Sequence, residues 1–342
     1  MNALTSGQGL IVTLTPNPSI DRTVALAGVL RRGAVQRLES ILSQAGGKGV
    51  NISRACVCAG VPTLAVLPAA PDDAFVHELA ASGIPSRCVA TDGTVRVNLT
   101  ISEPDGTTTK LNSPGSPATP AVLAALEATL LDIAAEASWV VLAGSLPPGA
   151  PVEWYADLVA ALRPLTKVAV DTSDAPLLAL VQRLDTAPPH VMKPNGEELA
   201  SFTGTDADVL ESDPYAAAAA ASTLIDRGVE AVLATLGGAG AVLVTRDGAW
   251  HATAPPTDVV STVGAGDSSL FGYLLGDLRG QDPAHRLALA IAYGSAAAGL
   301  PGTTIPQPSQ VRPELVAVRE LRSPTHQLIH SQIHQPTHST GK

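Results

Sequence analysis

The feature of this sequence that most constrains its fold is the alternation of short aliphatic runs with longer stretches rich in alanine and leucine. The short runs have the length of single strands, and the longer stretches have the apolar spacing of amphipathic helices. Such alternation from end to end is typical of a mainly parallel sheet covered by helices. The predicted strands are Leu10–Leu14, Thr63–Leu67, Trp139–Leu142, Val168–Val170, Val191–Met192, Ala231–Thr235 and Ala241–Thr245. The predicted helices are Val50–Ala59, Ala74–Ser82, Pro120–Ala135, Pro151–Leu162, Ala175–Arg183 and Pro214–Arg227.

Two regions interrupt the alternation, and both have a period of two, which favours hairpin-like ribbons. The first pairs Arg22–Leu26 with Ala34–Leu38, and the second pairs Val95–Ser102 with Thr107–Asn112. We predict that these ribbons, near residues 21–39 and 94–112, form a small accessory sheet over the main one.

The composition excludes several classes of partner. The chain has 31 acidic and 21 basic residues, a net charge of −10, so long-range electrostatics oppose binding to nucleic acid or to an anionic membrane. The most apolar stretch, Leu287–Leu300, is too short to span a bilayer, and we predict a buried helix there. Three cysteines and the lack of an export signal in residues 1–9 indicate a cytoplasmic protein.

Residues 323–342 differ from the rest of the chain because they contain four histidines spaced four apart, among Ser, Thr, Gln and Pro. On a helix these imidazoles would share one face and could bind a divalent metal. Pro336 and the missing apolar face favour a disordered tail instead. No linker marks a second domain, so we predict one domain over residues 1–322.

The segment Thr262-Val263-Gly264-Ala265-Gly266-Asp267-Ser268 opens an apolar helix. Its glycines allow a tight turn that presents free N–H groups at the positive end of the helix, where a phosphoryl group can bind. Asp267 is a poor companion for phosphate, which suggests a base that takes a proton from an attacking hydroxyl. The alternative is an acidic N-cap. A dinucleotide-binding loop is disfavoured because position 269 is serine and the segment lies late in the chain.

A second glycine-rich segment, Ala45-Gly46-Gly47-Lys48-Gly49-Val50-Asn51, is not a Walker loop, because glycine follows Lys48. It suits close approach of an anionic or hydroxyl-rich ligand, with Asn51 as donor and acceptor, although a plain glycine-rich turn remains open. Asp21, after the first strand, could accept two sugar hydroxyls or could be an ordinary turn aspartate.

Two further segments follow predicted strands. In Lys193-Pro194-Asn195-Gly196-Glu197-Glu198, Asn195 and Glu198 are three residues apart, so both side chains can point at one spot. There they could bind a magnesium ion through the water molecules that it keeps. The same spacing predicts a capping box, which is favoured from spacing alone. The turn from Thr235 to Gly240 could lie against nucleotide phosphates.

These segments, in this order, resemble the ribokinase-like (PfkB) carbohydrate kinases. The resemblance covers residues 10–322, and six motifs in sequence are specific although each is weak singly. The segments that carry it are Asp21, Gly46–Asn51, Gly144–Gly149, Lys193–Glu198, Thr235–Gly240 and Val263–Ser268. The residues 13–21, Asp171-Thr172-Ser173 and Ser261-Thr262-Val263 are similar to the hexose-phosphate kinase branch, above all to kinases of fructose 1-phosphate.

The resemblance implies a three-layer α/β/α sandwich with a mainly parallel central sheet, whose ribbons form a β-sheet lid that excludes water and that allows a homodimer. It implies ATP-dependent phosphoryl transfer, with Mg²⁺, to a sugar phosphate. Asp267 resembles the catalytic base, and the amides of Gly264, Ala265 and Gly266 resemble the anion hole. The implied sugar-phosphate ligands are Asp21, Gly47, Lys48, Asn51 and Arg96. The implied ATP ligands are Lys193, Asn195, Glu198, Thr235, Gly237 and Gly240, with Asn195 and Glu198 also near magnesium.

Three departures from the family pattern bear on the substrate. Thr100 stands where many fructose-1-phosphate kinases carry lysine, and Lys110 could replace that cation. Ser113 occupies a usually acidic position, and Ser261 replaces the aspartate of members that bind a monovalent cation, so we predict no potassium site. Tagatose 6-phosphate and fructose 6-phosphate remain alternative acceptors. A catalytically inactive sugar-phosphate sensor is the alternative of another class.

Overall fold

The computed structural model describes residues 9–321, which form fourteen strands and ten α-helices. The strands are β1 (Ile11–Leu14), β2 (Ser19–Leu26), β3 (Leu38–Gly46), β4 (Thr63–Pro68), β5 (Ser86–Val89), β6 (Arg96–Ser102), β7 (Thr108–Asn112), β8 (Trp139–Ala143), β9 (Lys167–Asp171), β10 (Val191–Met192), β11 (Ala231–Thr235), β12 (Ala241–Thr245), β13 (Gly248–Thr253) and β14 (Ala317–Glu320). The helices are α1 (Lys48–Cys58), α2 (Ala74–Ala81), α3 (Pro120–Ala134), α4 (Trp154–Leu162), α5 (Asp174–Gln182), α6 (Gly196–Thr203), α7 (Ala207–Ser212), α8 (Pro214–Asp226), α9 (Ala265–Leu278) and α10 (Pro283–Ala298).

A ten-stranded sheet has the order β14-β13-β12-β11-β10-β9-β8-β1-β4-β5. The strands from β11 to β5 pair in parallel. The strands β12, β13 and β14 pair antiparallel and extend one edge. The carboxyl ends of the parallel strands therefore lie along one edge of the sheet, where ligands bind in α/β folds.

Helices cover both faces of this sheet, as the predicted three-layer sandwich requires. Ile11 and Val141 pack into the core that contains α1, α9 and α10, while Val12 and Leu142 pack into the core that contains α3, α4 and α8. Because successive side chains on a strand point to opposite faces, both sets must be apolar. This explains why the strands are continuous aliphatic runs without polar alternation.

The second sheet, which we call the lid, has four strands in the order β3-β2-β6-β7. The ribbon predicted near 94–112 is confirmed as β6 and β7. The ribbon predicted near 21–39 is wrong in its second half, since the strand predicted at Ala34–Leu38 begins only at Leu38 and continues to Gly46. As an edge strand, β3 is exposed over most of its length, so its sequence lacks the alternation of a half-buried strand.

The predicted strands and helices of the main layers are confirmed within a few residues, and the buried helix predicted at Leu287–Leu300 is α10. Sequence periodicity missed the short strands β5, β13 and β14. No helix within residues 9–321 is long and apolar enough to cross a membrane. The three cysteines are free thiols. The predicted tail, residues 323–342, lies outside the described residues.

Candidate active site

A cleft of about 910 Å³ lies at the carboxyl edge of the parallel strands, between that edge, the lid and the start of α9. Loops that follow β1, β8, β9, β10 and β11 line it, together with lid residues. The structure therefore brings the widely separated motifs together. The predicted site residues that line the cleft are Asp21, Gly47, Lys48, Asn51, Arg96, Lys193, Asn195, Thr235, Gly237, Gly240, Gly264, Ala265, Gly266 and Asp267. Glu198 lies beside Asn195, outside this lining.

Asp267 lies in the first turn of α9, whose N-cap is Gly264. Gly264 has a φ of 79°, a left-handed conformation that glycine adopts without strain. No side chain caps this helix, so its first N–H groups face the cleft at the positive end of the helix dipole, although Ala265 N donates to Thr262 O at 3.4 Å. The alternative that Asp267 is itself the N-cap is wrong, because it is the third helical residue.

The carboxylate of Asp267 is buried, and its Oδ2 accepts a hydrogen bond from Asn51 Nδ2 at 2.8 Å. Burial and the negative charge of Asp171 raise the pKa of Asp267 to about 6. Lys48, the hydrogen bond from Asn51 and Lys193 oppose this rise. A carboxylate whose pKa lies near the working pH can accept a proton and release it again, as a general base must.

Asp171, at the end of β9, binds two lysines of the cleft, although the sequence analysis gave it no role. Its side chain is fully buried and forms ion pairs with Lys48 Nζ at 2.6 Å and Lys193 Nζ at 3.1 Å. Both lysines hold the pKa of Asp171 low despite its burial. Asp171, Asp267 and Glu198 together keep the pKa of Lys48 high although burial opposes its charge. The sequence signals for Asp171 were a carboxylate that ends a buried aliphatic strand and its place in the segment Asp171-Thr172-Ser173, which carries part of the family resemblance.

Lys193 reaches the start of α9, since a Cβ placed on Gly266 would lie 3.2 Å from Lys193 Nζ. Asp171 thus holds Lys48 together with Lys193, whose ammonium group lies next to the start of α9. Because anions bind at helix N-termini and at ammonium groups, this end of the cleft suits a phosphoryl group.

Asn51 is placed by the glycine-rich turn before α1. Gly47 is the N-cap of α1 with a φ of 112°, and a side chain there would strike Thr15. The turn therefore lets α1 begin against the end of β1 and directs Asn51 at Asp267. Asn51 was predicted to contact sugar; in the structure its amide lines the cleft while binding Asp267.

The lid end of the cleft is polar. Asp21 lies on β2, not in the turn considered from sequence, and its Oδ1 accepts from Ser19 Oγ at 2.7 Å and from Asn98 Nδ2 at 3.2 Å. Burial raises the pKa of Asp21. Arg96 donates to Ser113 O at 2.8 Å and to Ser145 Oγ at 3.4 Å. Three buried atoms that belong to residues lining the cleft have no hydrogen-bond partner among residues 9–321: Thr15 Oγ1, Arg96 Nε and Asn98 Oδ1.

The opposite end of the cleft contains the capping box that spacing favoured. Asn195 Oδ1 accepts from Glu198 N at 2.7 Å, and Glu198 Oε2 accepts from Asn195 N at 2.9 Å. The backbone of Asn195 also forms an isolated parallel β-bridge with Thr235, which aligns this loop with the turn that contains Gly237 and Gly240.

The donor set at this end fits magnesium held mainly by phosphate oxygens and water. Residues 9–321 contain no cluster of three or more His, Cys, Asp or Glu residues suited to a metal ion. Mg²⁺ commonly keeps several waters and uses one or two carboxylates. Glu198 supplies one carboxylate, whose pKa burial raises, and both residues are already engaged in the capping box.

Comparison with known proteins decides the family. The family model described as "pfkB family carbohydrate kinase" matches residues 15–310 of this chain. The chain belongs to the PfkB family of carbohydrate kinases. It is therefore an enzyme that uses ATP with Mg²⁺ to phosphorylate a sugar, and the predicted family resemblance is confirmed.

Similar proteins extend over nearly the whole chain. A 1-phosphofructokinase of Rhodobacter capsulatus is 38% identical over 88% of this chain and 94% of its own length. A 1-phosphofructokinase of Escherichia coli K12 is 32% identical over 90% and 96%. The crystal structure of phosphofructokinase-2 from Escherichia coli in complex with substrates and products has a TM-score of 0.80 and 28% identity, covering 88% and 96%. These similarities support a kinase that acts on sugar phosphates.

Proposed function

We propose that this PfkB kinase converts fructose 1-phosphate to fructose 1,6-bisphosphate. The observation that carries the proposal is the position of Asp267, a buried carboxylate with a raised pKa between a cationic end and a polar lid end of one cleft. The relatives named 1-phosphofructokinase, which match most of the chain, support fructose 1-phosphate as the substrate.

In this proposal Asp267 accepts the proton of the attacking sugar hydroxyl. The N–H groups of Gly264, Ala265 and Gly266 donate to the oxygens of the transferred phosphoryl group, whose charge they neutralise together with the nearby ammonium groups. Bound magnesium would neutralise further phosphate charge, and Asn195 and Glu198 would hold it through water. The transfer is direct and needs no covalent enzyme intermediate.

The lid end of the cleft would bind the sugar phosphate. Asp21 remains an acceptor for sugar hydroxyls, and the unpartnered Thr15 Oγ1 and Asn98 Oδ1 are buried polar atoms that a hydroxyl-rich ligand would satisfy. Arg96, with an unpartnered Nε, would bind the phosphate that the sugar already carries. Gly47 and Asn51 would contact the sugar between these groups.

The role of Lys48 stays a prediction, and its ion pair suggests a refinement. Since Asp171 holds Lys48 beside Lys193, we place Lys48 at the transferred phosphoryl group and Arg96 at the phosphate of the sugar. Lys110 lies directly opposite Thr100 in the antiparallel pair of β6 and β7. A lysine from either position can therefore reach the same region, which supports Lys110 as the replacement cation.

We further propose that residues 10–321 work as one domain in the cytoplasm, and that two copies pair through their lids. Exposed apolar side chains on the lid edge strand support the pairing, with Leu38, Ile41 and Leu42 exposed by 43%, 61% and 46%. Replacing Ile41 with aspartate should convert a dimer to a monomer in light scattering. A wild-type chain that is monomeric at high concentration would contradict the pairing.

The decisive experiment measures ADP release with fructose 1-phosphate, fructose 6-phosphate, tagatose 6-phosphate and unphosphorylated fructose. We expect the highest kcat/KM with fructose 1-phosphate. Fructose 6-phosphate is the second candidate, because phosphofructokinase-2 from Escherichia coli has been solved with that sugar phosphate and has a TM-score of 0.78. Turnover of none would favour a sensor. The variant Asp267→Asn should lose several powers of ten in kcat with sugar binding retained, and retained turnover would refute Asp267 as the base.

A further inference from the structure

Arg54 has no assigned role and does not line the cleft, but it contacts the residue that binds the proposed base. It lies one turn after Asn51 on α1, and its NH1 donates to Asn51 Oδ1 at 3.2 Å. Its NH2 donates to the carbonyl of Ala45, at the end of β3. Arg54 therefore joins the Asn51 amide to the base of the lid.

The chemistry of these groups gives the contact a direction. A side-chain amide has nearly the same shape in both orientations, so its hydrogen-bond partners decide which end faces which way. A guanidinium group only donates, and it can therefore face only the Asn51 oxygen. That leaves Nδ2 toward Asp267, to which it donates at 2.8 Å.

We propose that Arg54 is a positioning residue, which fixes the orientation of the Asn51 amide so that Asp267 receives a hydrogen bond on Oδ2 and its other oxygen serves the reaction. The inference rests on the proposed role of Asp267 as base. In the opposite orientation the Asn51 oxygen would face a carboxylate oxygen, and two acceptors would repel each other.

The charged groups around the pair come from several elements. Those that act on Asp267 are Lys48 on α1, Asp171 on β9 and Lys193 after β10. Those that act on Arg54 are Glu78 on α2 and Asp21 on β2, and the titratable thiol of Cys58 on α1 also lies near it. Arg54 is not among the largest causes of the shift in the pKa of Asp267, and its NH1 contacts Asn51, so we assign its effect on the base to Asn51.

The test uses Arg54→Met in the full chain. We expect kcat to fall by about 10- to 100-fold, as for a misplaced catalytic group, with the KM for ATP nearly unchanged. The acidic limb of the pH profile of kcat should move to higher pH, because the ionised carboxylate loses a hydrogen bond. Arg87→Met, which removes an exposed arginine bound to Asp132, is the matched control and should change neither property.

Two comparisons make the inference falsifiable. Arg54→Lys keeps a side chain that only donates hydrogen bonds, so the acidic limb should return to its wild-type position. The side chain introduced by Arg54→Gln can donate or accept, so the acidic limb should stay shifted in that variant. In an Asn51→Leu background, Arg54→Met should shift the limb no further. An equal loss of kcat in that background would overturn the proposal, since Arg54 would then act through Ala45 and the lid. Failure of Asp267→Asn to reduce turnover would instead refute the base itself.

Discussion

The ion pairs of Asp171 lead to a quantitative prediction about the pH dependence of the enzyme. Asp171 is a cause of the raised pKa of Asp267, and it also engages the two lysines that would lower that pKa. The substitution Asp171→Asn removes the negative charge and leaves both ammonium groups free to attract Asp267. The acidic limb of the pH profile should therefore move to lower pH.

The expected size follows from the position of the pKa. With a pKa of about 6, Asp267 is ionised to only about a tenth at pH 5, whereas with the ordinary value of 3.8 it would be ionised to more than about nine tenths. Burial is the largest cause of the rise and does not change in the variant. We therefore expect a partial shift, in which the rate at pH 5, relative to the plateau of each protein, rises at least about threefold.

The assay is the pH profile of kcat/KM for the wild type and the variant on the same sugar phosphate. Phosphate monoesters also ionise near pH 6, and comparing two proteins on one substrate cancels that contribution. The loss of a buried ion-pair partner can cost about 3–5 kcal/mol, so thermal unfolding must show that the variant is folded.

The matched control is Asp277→Asn, because the Asp277 side chain is only 7% exposed and binds two cations, Lys167 and Arg286, both at 2.9 Å. It lies near the far end of α9 from Asp267. We expect comparable destabilisation and no movement of the acidic limb. A limb that stays in place or moves upward in Asp171→Asn would refute the reasoning.

Three further predictions concern other parts of the site. Asp267→Asn should raise the free energy of unfolding by up to about 3 kcal/mol above pH 6, because folding raises the pKa of Asp267 from 3.8 to about 6. This gain in stability should vanish as the pH falls below 3.8. Urea unfolding at several pH values measures the gain, and equal stability of the two proteins at pH 8 would contradict the prediction. Lys110→Met should raise the KM for the sugar phosphate about tenfold and leave the KM for ATP unchanged. Adding Thr100→Lys to this variant should restore the KM for the sugar phosphate, because the two positions are directly opposite. An unchanged KM in Lys110→Met would exclude Lys110 from binding the sugar phosphate. Asn195→Ala should cost about 1 kcal/mol in chemical denaturation by removing a helix cap, while Asn195→Asp should keep the stability and change the Mg²⁺ dependence of the rate; equal stability of all three proteins would contradict the cap.

The central part of the fold could be predicted because strands such as β1 and β8 are buried on both faces and helices such as α3 and α8 are buried on one. Hydrophobic periodicity reports burial directly, so strands such as β1 and β8 were located within a residue. The edge strand β3 was misplaced for the same reason, since it is mostly exposed and its sequence carries no burial pattern.

The site could be predicted where the backbone itself has a function. Gly47 and Gly264 adopt positive φ angles at helix starts, a conformation that favours glycine, so these positions can be recognised in the sequence. Asp171 left no comparable signal, because its role depends on two lysines that are distant in sequence and meet it only in the fold. The hydrogen bond from the Asn51 amide to Asp267 was hidden for the same reason, because the two residues are also distant in sequence.

The cluster at the start of α9 must meet two opposed requirements. Cations are needed to neutralise the transferred phosphoryl group, yet two ammonium groups facing Asp267 alone would lower its pKa and weaken it as a base. Asp171 resolves this conflict by engaging Lys48 and Lys193 in ion pairs while adding a negative charge that keeps the pKa of Asp267 high. Arg54 acts in the opposite sense, since it secures the hydrogen bond that stabilises the ionised form. The acidic limb should therefore move down in Asp171→Asn and up in Arg54→Met, and movement in the same direction would contradict this account of the base.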